Sequence, residues 1–282
     1  MRTPAGAPLR WTQGCALMSP SERTPPELPL ADLVAALSAA AGNWSRATSA
    51  CSAIAIHPRA PGPRRAAPDG VGALLVLTGR WGRGQVDYDP SAAAVTTLAF
   101  QNRPGQAEDG IITDADIELN GVGFFFAIVD PAAPTALPGP GPGQRLADLE
   151  NTLTHELGHV LGLGHNCWDR QTATPPLQHD GHPAPPCDGP LTPALRTATM
   201  FPYAADGETS KRTPSEDDIR GICEAYPKDE PLPPCEQTVQ GGCQAVRGRT
   251  MRPRAILLLA VLGLVATCGR VRMRGRLRIS YS

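Results

Sequence analysis

The chain has 282 residues, of which 41% are hydrophobic and 19% charged, enough to bury a core in one large or two small domains. Nine arginines and no acidic residue lie from Arg247 onward, so residues 1–246 carry 17 Lys and Arg against 27 Asp and Glu, a net charge of −10. With an acidic body and only 5% aromatic residues, the chain is not expected to bind nucleic acid.

The first half of the chain is predicted to form one helix followed by strands. Apolar residues recur at helical spacing from 29 to about 50, which indicates an amphipathic helix. Short apolar runs bounded by Gly and Pro predict strands at 52–57, 73–78, 95–101, 111–119 and 124–129. A Pro- and Gly-rich loop covers 131–143, and the chain is predicted to be helical from Arg145 onward.

The segment THELGHVLGLGH at 154–165 carries the chemistry. His155 and His159 are four residues apart, so on a helix their imidazoles project from one face and suit two ligands of one zinc ion. Glu156 lies beside this pair, where it can take a proton from metal-activated water and pass it to a leaving amine. The pattern therefore predicts a hydrolytic metal site.

The third ligand is predicted after a turn. Gly162 permits a positive φ that a Cβ would resist, and the turn returns His165 toward the first two histidines. Three protein ligands leave zinc an open position for water, which is typical of catalytic sites. A helix with core or solvated histidines and a degenerate, metal-free site are the alternatives, but a chance match to H-E-x-x-H-x-x-G-x-x-H is on the order of one in 10⁵ per chain.

This pattern resembles that of the metzincin zinc endopeptidases, whose fold carries a methionine-containing turn beneath the metal. Met200, 35 residues after His165, would be that Met-turn residue, and ordinary core packing is the alternative. The sequence Met-Phe-Pro at 200–202 looks like the matrixin Met-turn, which implies that Phe201 and Pro202 help to wall the S1′ pocket.

The last predicted helix, near 215–226, carries the matrixin-like sequence D-D-I-x-G-I. The resemblance implies that Asp217 and Asp218 tie this helix to the floor of the active site. A solvated helix N-terminus favoured by the helix dipole explains the same acidic pair. Asn166 departs from the family, since matrixins usually place Ser or Thr after the third ligand. The Cys- and Pro-rich insertion at 166–196 is also larger than matrixins need, so substrate preference is not carried over.

The resemblance implies an α+β metzincin catalytic domain over residues 1–228, with a twisted mixed sheet, an active-site helix and a C-terminal subdomain. It also implies a monomeric zinc endopeptidase that hydrolyses peptide bonds of extracellular proteins. Peptide substrates would pair with an edge strand, either 95–101 or 111–120. A non-catalytic surface adhesin on the same fold is the alternative.

Calcium is a second candidate cofactor. Asp114, Asp116 and Glu118 alternate along one predicted strand. Matrixins carry acidic calcium ligands in the strand before the active-site helix, which implies a calcium site here. A strand with a polar, solvent-facing side explains the same alternation.

Eight cysteines without a C-x-x-C pair predict disulfides in an oxidising compartment, with the pairing left open. No apolar segment at the N-terminus reads as a signal peptide. A linker at 229–254 precedes an Arg-rich tail with a hydrophobic run, 255–282, and a buried helix is the alternative for that run. Gly242-Cys243, the hydrophobic run and the Arg-rich end together resemble the C-terminal sorting tag of myxobacterial surface proteins. This implies export, with display on the cell envelope through a transmembrane segment or secretion.

Overall fold

A mixed β-sheet organises the chain, which a computed structural model describes over residues 1–133, 139–178, 181–230 and 232–235, together with the backbone of 275–281. The strands in chain order are β1 (Cys15–Pro20), β2 (Ala55–Pro58), β3 (Gly72–Leu77), β4 (Gly82–Arg83), β5 (Val86–Asp87), β6 (Ala94–Phe100), β7 (Ile112–Asn120), β8 (Phe124–Ala127), β9 (Arg145–Asp148) and β10 (Gly275–Tyr281). Six of them form the main sheet in the order β10-β6-β7-β3-β1-β2. The four neighbouring strands β7, β3, β1 and β2 run parallel to one another. Strand β6 is antiparallel to β7, and β10 is antiparallel to β6.

Two long helices pack together beside this sheet. The helices are α1 (Leu30–Thr48), α2 (Leu149–Val160), α3 (Pro193–Thr197) and α4 (Glu216–Ala225), with a 3-10 turn at Ser210–Arg212. Helix α1 confirms the amphipathic prediction, since Leu33, Leu37 and Trp44 are all buried at its inner face. The α+β class is likewise confirmed, with a mixed sheet and several helices around one main core.

Two local predictions differ from the structure. Strand β1 was not predicted, although it lies between β2 and β3 and its Met18 is fully buried. Residues Arg145–Asp148 form β9, paired in parallel with β8, so the helical segment begins only at Leu149. Asp148 ends the strand and caps the helix, because its carboxylate accepts from the Asn151 amide at 2.7 Å.

The position of β6 decides which strand faces a peptide. Strand β7 lies inside the sheet between β6 and β3, so β6 is the outer strand of the five that precede the C-terminal tail. Strand β10 pairs with that outer edge, from Gly275 opposite Phe100 to Tyr281 opposite Ala94. The edge therefore accepts an antiparallel strand seven residues long.

Three disulfides close the described chain: Cys15–Cys235, Cys51–Cys223 and Cys167–Cys187. The prediction of a disulfide-bonded protein is confirmed, while Cys243 and Cys268 lie outside the described residues. Within those residues no helix is both long and apolar enough to cross a membrane. The hydrophobic run at 255–267 also lies outside them, so its role as an anchor stays a prediction.

Candidate metal centre

Helix α2 positions the first two histidines and Glu156, all fully buried. Its N-terminus is anchored because Arg212 donates to both oxygens of the capping residue Asp148, with Nε at 2.8 Å from Oδ1 and Nη2 at 2.5 Å from Oδ2. Its middle is anchored to α1, since Trp44 Nε1 donates to the Thr154 carbonyl at 2.8 Å. The helix is therefore fixed at its N-terminus and again directly before His155.

A glycine within the motif allows Met200 to reach the helix. A Cβ built on Gly158 would overlap Met200 Sδ and lie 3.0 Å from Trp44 Cζ2. Met200 is 2% exposed, belongs to the main core and packs against α2 at Gly158, between the positions of the two histidines in the sequence. This close approach requires the absence of a side chain at 158, while the role of Met200 as the Met-turn residue stays a prediction.

The turn after α2 forms as the sequence predicts. Gly162 has a φ of +95°, and a Cβ there would lie 2.5 Å from the Leu9 carbonyl oxygen. Backbone bonds from Gly162 N to His159 O at 2.9 Å and from Leu163 N to Gly158 O at 3.0 Å close the turn. The chain then returns, and His165 comes within 5.3 Å of His155 and 4.9 Å of His159, measured between ring centroids.

Hydrogen bonds fix the tautomer of all three imidazoles. Nδ1 of His155 is 2.6 Å from the Thr199 carbonyl, and Nδ1 of His159 is 2.9 Å from the Leu163 carbonyl. Nδ1 of His165 is 2.6 Å from Asp169 Oδ2. Carbonyl and carboxylate oxygens only accept, so each Nδ1 carries the proton and each Nε2 carries a lone pair. One ligand atom from each ring lies within 4.8 Å of the other two.

Burial favours the neutral form of the two imidazoles on α2. Burial lowers the pKa of His155 and His159 well below the ordinary value, and the neighbouring histidines lower it further. Among the described side chains, Nε2 of His159 and Nε2 of His165 are buried polar atoms with no hydrogen-bond partner. Buried ring nitrogens close to one another suit a metal ion, and three histidines are one of the donor sets found in catalytic zinc sites. These three residues could therefore hold one metal ion.

Glu156 faces the same region from α2. Its Oε2 accepts a hydrogen bond from the hydroxyl of Thr96 on β6, while Oε1 is buried and has no partner among the described residues. Burial raises the pKa of Glu156 to about 8, and the bond from Thr96 opposes that shift. A carboxyl group with a pKa near neutrality is suited to accept and return a proton.

The two acidic residues at the start of α4 have different environments. Asp218 is 3% exposed, and its carboxylate accepts from the backbone amides of Thr199 at 2.9 Å and Met200 at 3.2 Å. Since the Thr199 carbonyl binds His155, Asp218 ties α4 to the floor of the centre as expected. Asp217 makes no such connection, because it is exposed and pairs with Arg220 at 3.0 Å.

The segment after Met200 is buried against the insertion. Phe201 packs with the Cys167–Cys187 disulfide, and Pro202 is also buried. Lys211, itself fully buried, donates to the Phe201 carbonyl at 3.2 Å. Both residues thus directly follow Met200, while their part in an S1′ pocket stays a prediction.

The acidic strand does not face solvent, since Asp114, Asp116 and Glu118 are each 2% exposed. The segment containing β4 and β5 covers Glu118, the last of the three. Arg83 pairs with Glu118 at 2.7 Å, and Asp116 accepts from the Ala73 amide at 3.1 Å. Oδ1 of Asp114 has no partner among the described groups, so calcium at this position stays a prediction.

Sequence reasoning missed three contributors to the centre. Thr96 and Thr199 gave no signal, because a hydroxyl 60 residues from Glu156 and a backbone carbonyl carry no sequence pattern. Asp169 had a weak signal, since a carboxylate four residues after a predicted ligand can reach its ring. No protein-family model matches the chain, and no curated protein matches it.

Proposed function

We propose that the chain is a zinc-dependent endopeptidase of metzincin type, resembling the matrixins. The observation that carries the proposal is that one ligand atom from each of three histidines lies within 4.8 Å of the other two, beside a buried carboxylate whose Oε1 has no partner among the described residues. A zinc ion held by His155, His159 and His165 would polarise a scissile carbonyl and activate a water molecule.

Glu156 has the position that the reaction needs. Its Oε2 is held by Thr96, so Oε1 is the oxygen directed away from β6 and available to a water molecule. In that position the carboxylate would take a proton from the metal-activated water and return it to the leaving amine. The same residue thus acts first as base and then as acid.

The substrate is proposed to be an extended peptide on the outer edge of β6. That edge pairs with β10 in the antiparallel sense, which is the pairing an added peptide strand makes. Thr96 belongs to this strand and contacts Glu156, so a peptide bound along it passes beside the carboxylate. A peptide that uses this edge replaces β10.

Three disulfides support a role outside the reducing cytoplasm, and we propose that the protein is exported. The targets would then be extracellular proteins. Attachment to the cell envelope through the C-terminal tail, with its resemblance to a sorting tag, belongs to the same proposal.

The test is cleavage of denatured casein by the full chain, folded under oxidising conditions, with and without 1,10-phenanthroline. We expect cleavage that the chelator abolishes and that added zinc restores. A folded, zinc-loaded protein that cleaves neither casein nor a mixed peptide library contradicts the peptidase and favours the adhesin. The adhesin would use the edge of β6 for binding alone.

A further inference from the structure

A carboxylate outside the motif lies against the third histidine. Asp169 Oδ2 is 2.6 Å from His165 Nδ1, and the two side chains are only 12% and 5% exposed. The two histidines of α2 donate instead to uncharged backbone carbonyls. His165 therefore donates to a charged partner.

The insertion holds Asp169 in place through its neighbours. Trp168 is paired through its backbone on both sides, with its amide 2.8 Å from the Pro185 carbonyl and its carbonyl 3.0 Å from the Cys187 amide. The buried Cys167–Cys187 disulfide joins the same two segments. The two residues before Asp169 are thus fixed, Trp168 by two backbone hydrogen bonds and Cys167 by the disulfide.

The other oxygen of Asp169 is also used. Oδ1 accepts from the Gln171 amide at 3.0 Å, which closes a turn around Arg170, a residue with a φ of +66°. With one oxygen bound to Gln171, the carboxylate presents Oδ2 to His165. The orientation of the imidazole therefore follows from the conformation of the insertion.

We propose that Asp169 is a positioning residue for the metal, which holds His165 in the tautomer and orientation that leave Nε2 available as a ligand. A carboxylate behind a metal-binding imidazole also raises its basicity, and loss of such a partner typically lowers metal affinity about 10- to 100-fold. The inference rests on the metal site of the proposed function and needs no peptide hydrolysis. It makes the insertion part of the metal centre.

The test measures Zn²⁺ affinity of the full, oxidised chain by competition with a chromophoric chelator. In Asp169→Asn the amide oxygen can satisfy either Gln171 or His165, and its NH₂ group then faces the other. We expect a 10- to 100-fold loss of affinity. The matched control is Asp188→Asn, which removes a carboxylate of the same insertion whose partner among the described residues is the exposed Arg170. Its affinity should equal that of the unmodified chain.

Two further measurements separate positioning from folding. Asp169→Glu restores the charge and should recover part of the lost affinity, which a defect in loop packing would not allow. The visible spectrum of the Co²⁺-substituted protein should change in Asp169→Asn and stay unchanged in Asp188→Asn. Equal Zn²⁺ affinity in Asp169→Asn and Asp188→Asn overturns the inference. If Asp169→Asn binds Zn²⁺ more weakly but the unmodified chain never cleaves peptides, the positioning role of Asp169 is supported. In that case only the proposed peptidase activity is overturned.

Discussion

Replacement of Asp218 by alanine should destabilise the fold by removing the link between α4 and the floor of the metal centre. The carboxylate accepts four hydrogen bonds: from the amides of Thr199 and Met200, and from the amide and hydroxyl of Ser215. In Asp218→Ala two buried backbone amides lose their acceptor, at about 1–3 kcal/mol each. Loss of the capping box with Ser215 adds about 1 kcal/mol.

One effect opposes this loss. Burial raises the pKa of Asp218, so its removal also relieves the cost of burying a carboxylate, although the bonds from Ser215, Thr199 and Met200 lower that cost already. We therefore expect the lower part of the range, about 3–5 kcal/mol in the free energy of unfolding at pH 7.

The assay is urea unfolding of the oxidised protein, followed by tryptophan fluorescence and far-UV circular dichroism so that coincident transitions test two-state behaviour. The matched control is Asp217→Ala on the same helix, which loses only an exposed ion pair with Arg220 and should change stability by about 0–1 kcal/mol. A difference between the two variants below about 1 kcal/mol would refute the role given to Asp218.

Two other predictions concern packing and pH. Gly158→Ala should lower the melting temperature, because overpacking against Met200 costs about 1–3 kcal/mol of stability. In Gly42→Ala on α1 the new Cβ meets the flexible Arg46 side chain, so this variant should gain up to about 1 kcal/mol of stability. Equal gains in stability in both variants would contradict the close approach of Met200. Burial, and secondarily the charge of Asp116, raises the pKa of Asp114 from 3.8 to about 8. Between these pH values the folded state therefore keeps this proton, whereas the unfolded state releases it. Stability in EDTA should then fall as pH rises from about 4 to about 8, and Asp114→Asn should remove about 2–4 kcal/mol of that fall; a flat pH profile of the unmodified chain over this range would contradict it. Added Ca²⁺ should reverse the fall in the unmodified chain and not in Asp114→Asn if calcium binds there.

The parts of the fold that the sequence predicts correctly are those with a strong local pattern. Helix α1 follows from apolar residues at helical spacing, and the turn at Gly162 follows from the need for a positive φ. Strand β1 escaped prediction because its six residues, ending in a proline, show neither alternation nor a long apolar run. Its strand conformation comes from pairing with β2 and β3, which is a tertiary effect.

The candidate metal centre also has a part that the sequence predicts and a part that it does not. The ligand set lies within eleven consecutive residues, so spacing alone indicates it. The groups that orient those ligands lie on other elements: Thr199 in the floor, Thr96 on β6 and Asp169 in the insertion. Their contacts depend on how the chain closes on itself, and no local pattern records that closure.

The arrangement of β7 shows why a pattern can mislead about burial. Alternating acidic residues read equally well as a solvent-facing strand or as calcium ligands. In the structure Arg83 and Tyr88 cover that face, and Tyr88 donates to Glu118 at 2.8 Å. The covering segment lies about thirty residues earlier in the chain, so its packing on β7 could not be predicted from the strand itself.

The most direct test of the central claim compares Glu156→Gln with Glu150→Gln. Both carboxylates lie on α2, but Glu150 faces Asn43 and Arg212 at the start of the helix, away from the histidines. Zinc content and casein cleavage are measured for both variants and for the unmodified chain. We expect equal zinc in all three, full cleavage by Glu150→Gln, and a loss of at least about 100-fold in Glu156→Gln. Undiminished cleavage by a zinc-loaded Glu156→Gln would contradict the proposed mechanism.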